Sequence, residues 1–324
     1  MKYDRKRGCN NVPFGVNIFI TEKCPLKCPM CFQPYSEKAE LELNAVYAYL
    51  DELSSLGTKY VQFSGGEPLS YIQLPQVILY AKEKGLTTRI STSGVGLTNQ
   101  MAEQLKKVGL DYCHLSLNGS KAHIHELVRS GFNETMRALD ILSNTYIPVS
   151  INWVANHSNV LDLPNLISLA KSYNVKYINL LSNKKNNSGK MLFPLSCEDL
   201  YSLKQYWHEY ADYLVIESCF YQLMNLIKGN KAKSIEQGCR AGRFYMAISA
   251  RNEFSPCQHL STSQKSVISI YEYWNNDAEL ISMRQMLKLN QQAGCQSSIC
   301  KEYCTSCLNE MFDTNLESNA HNCL

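Results

Sequence analysis

From Val16 to about residue 195 the chain alternates between two hydrophobic rhythms. Short apolar runs at Val16–Ile20, Tyr60–Ser64, Thr87–Thr92, Tyr112–Leu117, Val149–Val154 and Tyr177–Leu181 have the length of strands. Between them, near 43–56, 72–84, 98–107, 132–144 and 162–173, apolar residues return every three or four positions, and a sixth such stretch begins after 196. Ala45, Tyr47, Leu50, Leu53 and Leu56 carry that spacing in the first. Strand and helix alternating at this pitch predict parallel strands joined by right-handed crossovers. Six units instead of eight predict an α/β fold of the open, partial (β/α)6 TIM-like kind. Sheets and barrels of this construction place their chemistry at the carboxyl ends of the strands.

The flanks read differently. Residues 1–13 are polar and aperiodic and predict an N-terminal arm, too short for a peptide-binding domain. The core is expected over 14–195, followed by an aromatic-rich helical connector over 196–236. From 237 to 324 the helical rhythm breaks and cysteines accumulate, which predicts a separate cysteine-rich domain.

Composition narrows the class. A formal charge of +3 is too small to argue for nucleic acid or a membrane surface. No apolar run approaches a membrane span, and no apolar stretch follows the basic opening residues as a secretion signal requires. Fourteen cysteines without such a signal do not read as disulfides, because the cytosol keeps thiols reduced. Ten of the fourteen fall into two groups, 24–31 and 239–323, a clustering that predicts metal ligation and a cytoplasmic protein.

The first group stands directly after the first strand, in Thr21-Glu22-Lys23-Cys24-Pro25-Leu26-Lys27-Cys28-Pro29-Met30-Cys31-Phe32. Thiolates are soft ligands, and three at C-x3-C-x2-C spacing suit an iron–sulfur cube better than a zinc knuckle. A cube with three protein ligands keeps one iron for another partner. After the second strand comes Ser64-Gly65-Gly66-Glu67-Pro68, two glycines allowing close approach to a ligand and an acid able to accept from an ammonium. The third strand ends Ser91-Thr92-Ser93-Gly94, and the fourth reads Tyr112-Cys113-His114-Leu115-Ser116-Leu117-Asn118-Gly119, with His114, Ser116 and Asn118 on one face. Downstream lies His125-Glu126-Leu127-Val128-Arg129-Ser130-Gly131-Phe132.

Taken together these stretches closely resemble the radical S-adenosylmethionine (SAM) enzymes. The resemblance implies a [4Fe–4S] cluster on Cys24, Cys28 and Cys31 whose open iron chelates SAM, and reductive cleavage of SAM to a 5′-deoxyadenosyl radical. It implies that Ser64, Gly65, Gly66 and Glu67 hold the methionine amino group. Ser116 reaches the ribose or carboxylate, and Arg129 clamps the carboxylate through its planar fork. Members of the family usually carry an aromatic residue before the third cysteine. This chain has Met30 there and Phe32 one place later, so the adenine contact differs in detail.

In the second group, Cys239 and Cys257 bracket an alternating segment with a polar Arg251-Asn252-Glu253 turn, which predicts a β-hairpin with a ligand at each end. Cys295, Cys300, Cys304, Cys307 and Cys323 follow. Seven cysteines in the order two, four, one resemble the SPASM extension of peptide and protein maturases, or its shorter relative, the twitch domain. That resemblance implies one or two auxiliary [4Fe–4S] clusters. By order, Cys239, Cys257 and Cys307 would hold one cluster, and Cys295, Cys300, Cys304 and Cys323 the other. Two fully ligated cubes need eight thiolates, so either one iron is open or Cys219 completes the set. Structural zinc is the alternative.

The expectation is a peptide maturase that abstracts hydrogen from a ribosomally made peptide and forms a thioether or carbon–carbon cross-link. A reductant such as flavodoxin or ferredoxin and a separate leader-recognition protein would be its partners. The other readings are a formylglycine-forming sulfatase-maturing enzyme, a peptide epimerase with Cys113, Cys197 or Cys219 as hydrogen donor, and a zinc- or cluster-bearing binding protein without activity.

Overall fold

The computed structural model describes residues 2–4, 6–33, 38–218, 239–260 and 269–293. Cys219, Cys295, Cys300, Cys304, Cys307 and Cys323 lie outside the described residues.

All six expected strands form: β3 (Gly15–Thr21), β4 (Tyr60–Gly65), β5 (Thr87–Thr92), β6 (Tyr112–Ser116), β7 (Val149–Ala155) and β8 (Ile178–Ser182). They pair in parallel and in sequence order. With right-handed crossovers, sequential order sends every helix to the same side of the sheet. The helices α1 (Leu43–Leu56), α2 (Leu74–Glu83), α3 (Asn99–Lys107), α5 (Phe132–Ser143) and α6 (Leu163–Ser172) occupy that side, and a short α4 (Ala122–His125) precedes α5. Val46, Leu50 and Leu53 of α1, one helical stripe, pack into a core with Val16, Ile18 and Ile20 of β3 and Val61 and Phe63 of β4. Complete burial of each such side chain is worth about 1.5–3 kcal/mol.

The alternate strand residues face inward and are mostly polar. Ser91 of β5 accepts a hydrogen bond from Asn152 of β7 at 3.2 Å, although β6 runs between the two strands. In a flat sheet those strands would stand about 9.5 Å apart, so the contact requires the sheet to curl around this face. The inner face is therefore the concave wall of a partial barrel.

Among the described residues the sheet has nine strands, not six, in the order β11-β10-β3-β4-β5-β6-β7-β8-β9. Two expectations change with it. The segment expected as a helical connector holds α7 (Cys197–Tyr210), started by a Ser196–Asp199 capping box, but then adds β9 (Leu214–Ile216) to the edge at β8. The hairpin of β10 (Tyr245–Ile248) and β11 (Phe254–Ser255) forms as expected, with Asn252 in the left-handed region of its turn. It is not detached from the core, however, because β10 pairs in parallel with β3 from Tyr245↔Gly15 to Ile248↔Ile18.

Residues expected as a loose arm also fold. β1 (Tyr3–Asp4) and β2 (Cys9–Asn10) pair, and the buried Arg243 guanidinium donates to Gly8 O, Cys239 O and the Tyr3 hydroxyl. A cation in the interior needs acceptors on every side, and the N-terminal segment supplies two of them. Trp274 of α8 (Ile270–Asn276) donates to Asn10 O, and α9 (Ala278–Ala293) brings Arg284 against Gly242 O.

Candidate active site at the carboxyl ends of the strands

Four segments converge at the end of β3. The cysteine loop leaves the strand at Thr21 and is held from three sides. Gly66 N donates to Thr21 O at 2.7 Å and Glu67 N to Lys23 O at 2.8 Å. Met30 N donates to Val128 O, and Ser130 donates to Lys27 O. From beyond β8, Asn187 N donates to Cys31 O at 2.9 Å and the Asn186 amide to Pro29 O at 2.9 Å. Sequence reasoning did not anticipate Asn186 and Asn187, because nothing local marks a loop that braces residues more than 150 positions away.

Gly65 and Gly66 lie against the cysteine loop itself. A Cβ on Gly65 would lie 2.1 Å from Thr21 O, and one on Gly66 would lie 2.3 Å from Lys23 O. The close approach these glycines permit is to the cysteine loop's own backbone, and φ of +133° at Gly65 excludes other residues as well.

Glu67 follows two residues after the end of β4. Its carboxylate is almost fully buried and accepts from Leu69 N and the Thr92 hydroxyl on Oε1, and from Ser93 N at 2.8 Å and the Ser93 hydroxyl at 2.5 Å on Oε2. A carboxylate has about four lone-pair sites, and all are used. The side chain locks the end of β4 to the turn after β5. Burial pushes its pKa upward against the pull of these bonds.

Of the three cysteines, Cys28 is buried, Cys31 half-buried and Cys24 at the exposed rim. Crowding around the Cys24 sulfur pushes its pKa up to about 11; the Leu26 amide opposes the rise, while Glu67, Cys28 and Cys31 add to it. Cys31 is also raised by burial, against the Gln33 amide and the Arg129 cation. Cys257 is raised by burial against the amides of His259 and Leu260. At Cys24, Cys31 and Cys257 alike, the amide two residues on donates to sulfur, an arrangement that stabilises a thiolate once a cation displaces the proton. Among the described residues no three His, Cys, Asp or Glu side chains form a single-ion site. A cube, whose protein ligands sit on different irons, does not require one.

Among the described residues around the loop, two buried donors lack a well-formed hydrogen bond: His125 Nε2, whose ring accepts from Asn118 N at Nδ1 and has only the Ser130 backbone near it, and Arg129 Nε. Both sit beside the loop, since Arg129 acts on Cys31 and on His125. Orphaned donors next to an open thiol triad fit a cluster carrying a ligand with a carboxylate. The Met30 thioether accepts from the Asn118 amide at 3.3 Å. Phe32 packs edge-on against His259 at 4.5 Å and Phe19 at 6.4 Å. Ser64 donates to Asn17 at 2.7 Å, and Ser116 lies on the inner face opposite Asn152. Asn156 and Asn159 tie β6 to β7 through Asn118 O and Val154 O.

A groove of about 620 Å³ opens beside Phe32, bounded by Glu22, Lys184, Arg251, Gln258 and His259. Cys239 and Cys257 flank the hairpin that forms one wall, and Gly242 N donates to Pro256 O at 2.9 Å, drawing the two cysteine-bearing ends together. Cys113 is fully buried in the core, and Cys197 is disulfide-bonded, against the expectation that the thiols are reduced, so it carries no S–H to donate. No helix among the described residues is long and apolar enough to cross a membrane.

Residues 18–170 match the family model described as the Radical SAM superfamily. The chain is 32% identical over 166 residues to a PqqA peptide cyclase of Granulibacter bethesdensis, covering 49% of this chain and 44% of that protein. It is also 32% identical over 164 residues to an Fe-coproporphyrin III synthase of Methanosarcina barkeri, covering 49% and 41%. The chain thus spans less than half the length of the curated relatives it matches. The crystal structure of Streptococcus suis SuiB bound to precursor peptide SuiA superposes with a TM-score of 0.77 at 18% identity, covering 98% of this chain and 75% of that one. That likeness establishes the fold.

Proposed function

We propose that residues 18–170, which match the Radical SAM superfamily model, form a domain of that family, and that the protein is a peptide-modifying enzyme that cross-links a ribosomally made peptide. The family implies a [4Fe–4S] cluster and SAM, which together supply a carbon radical able to take a hydrogen atom from an unactivated C–H bond. Cys24, Cys28 and Cys31 would hold the cluster. Arg129 and the His125 Nε2–H would face the carboxylate of SAM, and Ser64 and Ser116 would border its ribose. Glu67, Gly65 and Gly66 would act by holding the cysteine loop in register with the turn at Ser93.

The observation that carries this reading is the groove of about 620 Å³ beside Phe32, edged by polar side chains and bounded on one side by the cysteine loop and on the other by the hairpin between Cys239 and Cys257. It lies between the radical-generating loop and the cysteines proposed for an auxiliary cluster. The barrel half is similar both to PqqA peptide cyclases, at 32% and 34% identity, and to an Fe-coproporphyrin III synthase, at 32%, so the choice of a peptide draws also on this groove and on the cysteine-rich half. A reductant of the flavodoxin or ferredoxin class and a separate leader-recognition protein belong to the same proposal. The test is anaerobic incubation of reconstituted protein with dithionite, SAM and a small peptide encoded beside its gene. The expected product is a peptide lighter by two hydrogens, with the new bond located by fragmentation. Deoxyadenosine formation with every neighbouring peptide unchanged would overturn it.

A further inference from the structure

A relay of polar side chains runs from the barrel wall into the groove. The Ser64 hydroxyl of β4 donates to Asn17 Oδ1 at 2.7 Å, and the Asn17 amide of β3 donates to Gln258 Oε1. With its oxygen so engaged, Gln258 turns its NH2 group to His259 Nε2, 3.1 Å away. An amide nitrogen only donates, so Nε2 accepts and the neutral ring carries its proton on Nδ1. Each partner orients the next, and the last step selects a tautomer.

The Nδ1–H so defined has no use inside the protein. His259 lines the groove beside Phe32, and among the described residues its Nδ1 is neither hydrogen-bonded nor enclosed. The ring is gripped as well as oriented. Phe32, which follows Cys31, packs edge-on against it at 4.5 Å, and the His259 amide donates to the Cys257 sulfur. Lys184 lines the same groove and stands close enough to act on the ring. An N–H beside a cation repels a ligand ammonium and suits an acceptor oxygen. The backbone carbonyl is the acceptor that an extended peptide presents at every residue, and a neutral donor can pair with it without burying a further charge.

We propose that His259 binds the substrate, its Nδ1–H donating to a backbone carbonyl of the peptide in the groove, and that Gln258 and Asn17 are positioning residues that keep the proton on that nitrogen. The assignment rests on the reading of the groove's occupant as a peptide. It gives the relay a direction: with Leu in place of Gln258, Nε2 loses its donor, the ring can carry its proton on either nitrogen, and the carbonyl loses a fixed partner. One neutral hydrogen bond is worth about three- to tenfold in affinity.

Isotope-labelled histidine reports the tautomer by nitrogen NMR of the full chain before reconstitution, with His259→Asn assigning the signal. The expected signal is a protonated Nδ1 with an unprotonated Nε2, and Gln258→Leu should mix the two forms. The binding probe is acetyl-trialanine methylamide, which offers backbone carbonyls and no functional side chain; its affinity for the reconstituted protein is read by calorimetry. His259→Phe, which keeps a ring against Phe32, is expected to weaken the probe about three- to tenfold. His259→Asn, whose amide N–H can stand in for Nδ1–H, should recover part of that loss. Equal urea midpoints and iron contents would show that the variants fold and load. A proton on Nε2 in the parent, a tautomer unchanged in Gln258→Leu, no binding of the probe to the parent, or equal binding by His259→Phe would overturn the proposal. With a peptide that the enzyme modifies, His259→Phe should raise KM more than it lowers kcat, and an effect confined to kcat would overturn it as well. Because tautomer and probe binding need no turnover, a positive result on both with no peptide modified would count against the maturase reading alone.

Discussion

Glu67 makes the sharpest division between a residue that binds a ligand and one that holds the loop that does. Its four acceptor sites serve Leu69 N, the Thr92 hydroxyl, Ser93 N and the Ser93 hydroxyl. Glu67→Gln keeps the shape but leaves one end as an NH2 group that can only donate. With the amide oxygen turned toward Ser93, the Thr92 hydroxyl can rotate to accept, but Leu69 N then faces a donor. One buried N–H without an acceptor costs about 1–3 kcal/mol. Glu67→Ala strands both backbone N–H groups, for a loss of roughly 2–6 kcal/mol by the same rule. Urea unfolding of the reduced, cluster-free protein reads this directly, as a lower midpoint at unchanged slope. SAM affinity of the reconstituted variants should fall with stability, since both follow from the Ser93 turn and the cysteine loop losing register. A Glu67→Gln protein with the parental midpoint that nevertheless fails to bind SAM would refute the reasoning and restore the carboxylate to the ligand.

Other consequences are as direct. An added methyl on Gly66 would stand 2.3 Å from Lys23 O, where ordinary contact begins at 3.4 Å, so Gly66→Ala must part the two loops by about 1 Å; it should keep its barrel by circular dichroism but lose most of its iron on reconstitution. Cys28→Ala should retain auxiliary iron if the C-terminal cysteines bind any, yet form no deoxyadenosine from SAM under dithionite. Burial lowers the pKa of both His114 and His125 from 6.5 to about 4. The unfolded chain therefore takes up protons first as pH falls below 6.5, and stability drops through the window from 6.5 to about 4, by about 3 kcal/mol for each histidine. His114→Gln should remove its share of that slope in urea unfolding followed against pH, and an identical slope in the variant would contradict the assignment.

Much of this protein was legible in one dimension. The six core strands, the helices between them, the thiol triad and the hairpin between Cys239 and Cys257 all follow from periodicity and spacing, because each depends on residues within about a dozen positions of one another. The amphipathic rule also sorted Ser116 and His114 onto the inner face. Tertiary structure decided the rest. Sequence places GGEP one unit after the cysteine loop, but only the folded chain turns its glycines against Thr21 and Lys23 and saturates Glu67 with Thr92 and Ser93. A four-residue strand such as Tyr245–Ile248 has no local mark of a parallel partner some 230 positions earlier, nor do residues 3–10 of the Arg243 guanidinium that orders them. His259 reads in sequence as a residue two places past a cysteine. Its tautomer is set by Gln258 and Asn17, which stand 241 positions apart and meet only in the folded chain. Periodicity assigns each residue a side; the identity of what stands across from it is set by long-range packing.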